Sequence, residues 1–184
     1  MIELRTPSLE LLPRYVDALK RGWYPDSRGQ LAIDEQLAAI EADASGFVGR
    51  LTDPEAKGAE VTLPDGSKVA RLPGRQFWIC DGEFCGMLGL RWQNGTADLP
   101  PHTLGHVGYS VVPWKRKLGC ATAAVREVLP HARALGLLYI EITTDLDNLA
   151  SQKVISANGG VLVESFTKPA AFGNAPGLRY RIAL

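Results

Sequence analysis

The chain has 184 residues, 46% hydrophobic and 22% charged, a balance that supports a buried core and excludes a disordered polymer. Twenty basic residues meet twenty acidic ones, so no global field favours nucleic acid or an anionic membrane surface, and any anion site has to be local. No apolar run reaches the ~20 residues of a membrane span, and the acidic stretch Met1 to Leu12 lacks a signal-peptide pattern, so a cytoplasmic protein is expected.

Ile2 to Arg5 alternates and predicts a short first strand. Ser8 then caps a helix to about Lys20, with Leu11, Leu12, Tyr15, Val16 and Leu19 on one stripe. Gly22 to Gln30 is a polar loop, and a second helix runs from Ile33 to Ala44, beginning near Asp34. Residues 45–75 are the hardest to read. Leu51 to Ala56 has helical character, and Pro64-Asp65-Gly66 signals a turn in an irregular hairpin. The stretch reads as a long surface excursion, a usual place for substrate-binding elements.

From Gln76 the pattern changes to strands. Phe77 to Cys80 and Cys85 to Arg91 flank Asp81-Gly82-Glu83, a hairpin signal, and Gly86 and Gly89 suggest a bulge or a close backbone approach. Gln93 to Leu104 is a loop, and residues 105–112 form a strand that stops at Pro113. A helix follows Gly119, with Ala124, Val125, Val128, Leu129 and Leu135 near helical spacing. Pro130 should kink or end it, and Gly136 stops it. Leu137 to Thr144 is a buried strand, residues 149–157 a short helix ended by Asn158-Gly159-Gly160, and Val161–Phe166 and Leu178–Leu184 a last pair of strands. The economical architecture is α/β: one domain over residues 1–184, a mixed sheet with helices on both faces.

The most informative stretch lies between strand and helix. Lys115, Arg116 and Lys117 precede Gly119 and the small residues Cys120, Ala121 and Thr122. The first amides of a helix lack intrahelical partners and carry the positive end of its dipole, so this order builds an anion site that small residues leave open to a phosphate. Cys80, Cys85 and Cys120 are odd in number and lack C-x-x-C spacing, which reads as reduced thiols. His102 and His106 sit in a loop-to-strand segment unsuited to a metal.

Arg116-Lys117-Leu118-Gly119-Cys120-Ala121 resembles the pyrophosphate loop of the GNAT acyltransferases, Arg/Gln-x-x-Gly-x-Gly/Ala. Its surroundings fit too: a strand ending in Val-Pro before it, a helix opening at Ala121-Thr122, and then Asn148-x-x-Ser151-x-Lys153-Val154-Ile155 with Asn158-Gly159-Gly160, which resembles the next helix of that family and its exit turn. The likeness covers residues 76–184 by motif and 1–45 by element order. Gly105 to Val111 with Arg179-Tyr180 looks like a bacterial subgroup of predicted acetyltransferases.

That resemblance implies a mostly antiparallel sheet with splayed central strands, acetyl-CoA as co-substrate, a primary amine as acceptor, and no metal. Residues 76–184 would bind the donor, and residues 1–75 would supply the acceptor side. Amides of Leu118, Gly119, Cys120 and Ala121 would cradle the pyrophosphate, with Arg116 adding charge and Lys117 and Thr122 completing the turn. The side chains of Lys115 and Lys117 face solvent. A bulge near Tyr109-Ser110 would splay the strand Ser110-Val111-Val112 from its neighbour, leaving a slot for the pantetheine arm and a free N–H for the developing oxyanion. Asn148 and Ser151 match positions near the pantetheine, and Asn148 equally suits a helix cap.

Many relatives place a tyrosine seven residues after the asparagine, where this chain has Ile155. Tyr109 is a candidate replacement as acid, or a packed strand aromatic. His106 stands where relatives often carry a glutamate base, and its ordinary pKa near ~6.5 suits that role; the other reading is a structural or surface histidine. Glu141 is a second candidate base. The four tryptophans are mostly packing, with Trp92 also able to line an acceptor pocket. The C-terminal strands are compatible with a homodimer. The alternative to catalysis is an acyl-CoA-binding or regulatory module with the same fold, motivated by Ile155.

Overall fold

The computed structural model describes residues 1–26, 28–63 and 65–184. It begins with β1 (Glu3–Arg5), α1 (Leu12–Lys20), α2 (Gln30–Ala42) and α3 (Ala44–Arg50). α1 starts later than Ser8 because Pro13, with no N–H to lose, fits its first turn. Ser8 serves the turn before it: its carbonyl accepts from Leu12 N–H and its Oγ from Leu11 N–H. α2 starts ahead of Asp34 because its buried residues, Ala32 and Ile33, precede the acidic ones. The helix expected over 51–56 lies earlier, in α3, which Asp43 caps by accepting from Gly46 N–H at 2.8 Å. Asp53 instead takes the N–H groups of Lys57 and Gly58, a local bonding pattern that competes with helix.

β2 (Thr52–Asp53) joins the sheet edge, and β3 (Val61–Thr62) pairs with β4 (Lys68–Val69) as a small hairpin. Pro64 of the expected turn and Ser27 of the first polar loop lie outside the described residues. β5 (Gly74–Cys80), β6 (Phe84–Arg91) and β7 (Val107–Val111) follow, and the first sheet is antiparallel in the order β1-β5-β6-β7, with β2 also on β5. The second sheet contains β8 (Tyr139–Asp145), β9 (Val161–Thr167) and β10 (Pro176–Ala183), antiparallel in the order β8-β10-β9. The Asp81–Glu83 hairpin joins β5 to β6 as expected.

Between β7 and β8 runs α4 (Cys120–Ala134), and α5 (Leu149–Ser156) lies between β8 and β9. α4 continues through Pro130, which is exposed, so water can satisfy the carbonyl that the missing N–H leaves free. Two cores flank the first sheet. Ile79, Leu88 and Leu90 face α4, whose Val125 and Val128 are fully buried. On the other face Tyr15, Trp23, Trp78 and Phe84 pack together, Tyr15 stacked on Trp78 with centroids 5.0 Å apart. Such aromatic pairs contribute about 0.5–1.5 kcal/mol beyond their buried area.

Gly86 makes the close approach expected of it: at φ +149° a Cβ would lie 2.1 Å from the Ser110 carbonyl oxygen. The bulge expected at Tyr109-Ser110 is absent. β7 pairs with β6 in unbroken register from Val107 to Val111, and the registers shift instead at Ile79/Cys80 and Arg179/Tyr180.

Candidate active site

The two sheets are tied where β7 begins. His106, just ahead of β7, donates its N–H to the Glu141 carbonyl of β8 at 2.8 Å, and its Nδ1 accepts the Glu141 N–H at 2.9 Å. Beyond that point β7 and β8 belong to separate sheets. A slot of about 870 Å³ opens between them, bounded by Tyr109 and Val111 on one wall, Thr143 and Asp145 on the other, and the N-terminal ends of α4 and α5. Val112 N–H pairs with Cys85 on β6. Antiparallel alternation therefore turns the N–H groups of Tyr109 and Val111 away from β6, toward the slot. Arg116 Nε reaches the Val111 carbonyl at 3.2 Å on that side.

At the slot's mouth Lys117 (φ +61°) and Gly119 (φ +80°) take left-handed backbone and turn the chain into α4. Gly119 is required by its φ rather than by crowding, since a Cβ there would meet nothing within 4 Å. α4 has no side-chain cap and no acidic residue in its first turn. Ala123 N–H bonds to the Gly119 carbonyl, so the amides of Cys120, Ala121 and Thr122 precede the intrahelical ladder and have no partner within it. Lys115 does not simply face solvent: it bridges Asp81 and Glu83, both at 2.9 Å, and these carboxylates push its pKa up. That pair ties the basic turn to the β5–β6 hairpin. Lys168, on the segment after β9, borders the same slot in an ion pair with Asp145. No sequence pattern singled it out, because it reaches the site only through the return of β9.

Tyr109 projects into the slot, and its hydroxyl lies 2.8 Å from Ser151 Oγ. Burial pushes its pKa up, a shift the Ser151 hydrogen bond opposes, so the phenol is protonated at neutral pH. Asn148 Oδ1 accepts from Ser151 N–H at 3.0 Å and caps α5 while bordering the slot. Ile155 is fully buried in the core.

The two candidate bases are placed differently. His106 is wholly buried and does not border the slot. Its Nδ1 is committed to Glu141, and its Nε2 completes no hydrogen bond. Burial drives its pKa down against the opposing pull of the Glu141 carboxylate, so it is the neutral Nε2–H form. The Glu141 side chain turns away from the slot to Arg179 (2.8 Å) and Arg181 (2.7 Å). Burial would raise its pKa, but these two guanidinium bonds hold it below the ordinary value. Ser110 borders the slot through its backbone, while its hydroxyl points to the opposite face, accepting from Trp23 Nε1 at 2.9 Å and donating to the Tyr24 carbonyl at 3.3 Å. Val112 is fully buried beside β6. The Trp92 ring is buried in the core with its Nε1 on Asn94 and does not border the slot.

Two sheets parted at one end, with an uncapped helix N-terminus at the opening, define the class. Residues 67–161 match the acetyltransferase (GNAT) domain, and the chain belongs to that family of N-acetyltransferase enzymes. Among solved structures it is similar to the microcin C7 self-immunity acetyltransferase MccE in complex with acetyl-CoA and AMP (12% identity, TM-score 0.65, covering 100% of this chain and 92% of that one). It is likewise similar to RimL, the ribosomal L7/L12 alpha-N-protein acetyltransferase, in complex with coenzyme A (14%, TM-score 0.62, 100% and 94%). A GNAT-family acetyltransferase from Bordetella pertussis superposes with TM-score 0.58 at 13% identity, covering 99% and 95%. At these identities the likeness is one of fold. No curated protein sequence matches the chain.

Proposed function

We propose that this enzyme transfers an acetyl group from acetyl-CoA to a primary amine by direct attack, with donor and acceptor bound together. The observation that carries the reading is the slot itself: a cleft of about 870 Å³ whose mouth holds the unpartnered amides of Cys120, Ala121 and Thr122 beside Arg116. That donor set suits a pyrophosphate, because it offers convergent N–H groups, a helix dipole and a guanidinium with no acidic residue in the first turn. Lys117, Leu118 and Gly119 shape the turn, Val111 and Asn148 offer backbone and side-chain polar groups to an amide-bearing arm, and Lys168 supplies a second cation across the opening.

The donor brings an activated thioester. The chain's own residues orient it, stabilise charge and manage one proton. The N–H of Tyr109 or Val111 can hold the thioester oxygen and the negative charge that develops there. Alignment within the slot supplies up to ~7–11 kcal/mol of barrier reduction in well-oriented cases. As the amine nitrogen bonds to the acetyl carbon and the C–S bond breaks, Tyr109 delivers its proton to the leaving thiolate, with Ser151 orienting the phenol. The amine's own proton leaves to water, since neither His106 nor Glu141 reaches the slot.

Within this reading residues 1–184 act as one domain, with 76–184 forming the donor core and 1–75 shaping the acceptor side. Release of free CoA from acetyl-CoA, followed across a panel of primary amines, tests it: amine-dependent thiol release is expected, and its absence with every amine would count against transfer.

A further inference from the structure

β7 has a second face, and the chain has left it bare. Gly108 sits directly opposite Gly89 of β6, which in turn is opposite Gln76 of β5. A Cβ at Gly89 would meet nothing within 4 Å, and one at Gly108 would meet only Arg91 Nη2, at 3.2 Å. The result is a strip of sheet without side chains, on the face opposite Tyr109. Its rim is specific. At one end the Trp23-Tyr24 loop is held to Ser110 by two hydrogen bonds. At the other the exposed Arg91 side chain reaches over Gly108, its Nη2 3.2 Å from where a Cβ would stand. Among the described residues Arg91 makes no ion pair and no side-chain hydrogen bond, whereas Arg28, Arg179 and Arg181 each hold a carboxylate close by. Gln76 is turned aside onto the Met87 sulfur.

We infer that Arg91 and the Gly89–Gly108 floor form an acceptor subsite for a primary amine that carries a carboxylate a few bonds from its nitrogen. This deepens the reading of the slot as an acetyl-transfer site and rests on it. Gly108 borders both the floor and the slot and adjoins Tyr109 in the chain, so an anion seated on Arg91 brings an attached nitrogen to the edge of β7 where the thioester would lie. A planar guanidinium binds a carboxylate through two parallel N–H···O bonds, and a floor of glycines lets a ligand approach the backbone. A neutral acceptor would forgo this charge-assisted pair and leave Arg91 to water, so an amine that carries a carboxylate is favoured.

The test measures CoA release and, separately, calorimetric binding of the acceptor to the protein saturated with CoA. Acceptors are matched pairs: free amino acids against their carboxamides, and short peptides with an acidic or a neutral second residue. Carboxylates are expected to be preferred at least ~10-fold in kcat/KM and to bind the CoA complex. Arg91→Gln should bring that ratio toward one and abolish the binding signal, with Arg91→Lys between. The amino-acid and peptide arms report which source of carboxylate fits. Equal use of carboxylate and carboxamide, an unchanged ratio in Arg91→Gln, or no carboxylate-bearing amine bound or acetylated would overturn the subsite. Titration with acetyl-CoA alone reports whether the donor reading stands in that event.

Discussion

His106 and Glu141 hold each other through three atoms of main chain and one ring nitrogen at the point where β7 and β8 part. The His106 N–H meets the Glu141 carbonyl, and the Glu141 N–H meets His106 Nδ1. An imidazole placed this way does the work of the missing strand partner. It closes one end of the cleft and leaves the rest open. His106→Ala would strand the buried Glu141 N–H and open a cavity, at a cost of about 2–4 kcal/mol. His106→Asn keeps an acceptor near the Nδ1 position and should recover a good part of that loss. Urea midpoints of the two variants check it; equal destabilisation would show that the hydrogen bond is not what the ring contributes.

The same burial makes stability depend on pH. Folding holds His106 below its ordinary pKa, so the unfolded chain binds the proton first as pH falls. The contribution is complete above the unfolded value near ~6.5 and is lost as pH drops through the lower folded value. Glu141, also held low, adds loss in the same direction below its ordinary range. The melting temperature should therefore fall between pH 7 and pH 5, and less steeply in His106→Asn. An equal slope in both proteins would remove His106 as the cause.

Tyr109→Phe removes the only phenol that borders the slot among the described residues while keeping the ring. If the hydroxyl protonates the leaving thiolate, kcat should drop about 10²-fold with little change in donor KM. Because burial keeps that phenol protonated through neutral pH and neither His106 nor Glu141 borders the slot, kcat/KM should rise with pH simply as the acceptor amine loses its proton. A break on the acid side of the ordinary histidine range that disappears in His106→Asn would instead make His106 a base.

Much of this was readable in the chain. β5, β6, α4, β8 and α5 each carry a clear apolar period or a turn pair. The motif around Gly119 also names its own chemistry, because left-handed backbone and small residues are local demands. What escaped was set by distance. Trp23 looks like packing until its Nε1 is found on Ser110, 87 residues away. Lys168 enters through the β9 return. His106 stands where GNAT relatives often carry a glutamate base, so the sequence leaves it as either a base or a structural histidine. Only the twist that brings Glu141 against it, 35 residues on, converts it into a strand partner. Residues 45–75 stayed faint because short pairs such as Val61–Thr62 with Lys68–Val69 are fixed by side-chain turns, not by periodicity.

Gly86→Ala probes the other border of β7. A Cβ there would press 2.1 Å from the Ser110 carbonyl, at a φ of +149° that L-residues avoid. Relief requires β6 and β7 to separate, so a loss of at least about 2 kcal/mol is expected by chemical denaturation. Wild-type stability in this variant would mean that the close approach is not needed.

The central claim is that the mouth of the slot binds the pyrophosphate of acetyl-CoA, and calorimetric titration of acetyl-CoA into the native protein and into Gly119→Glu tests it most directly. The native protein should bind stoichiometrically, and Gly119→Glu should lose binding at least ~100-fold while keeping its fold at a backbone strain of about 1–2 kcal/mol, because the added carboxylate repels the phosphates and no neighbour lies within 4 Å of the new Cβ. No binding to the native protein, or equal affinity in Gly119→Glu, would contradict it.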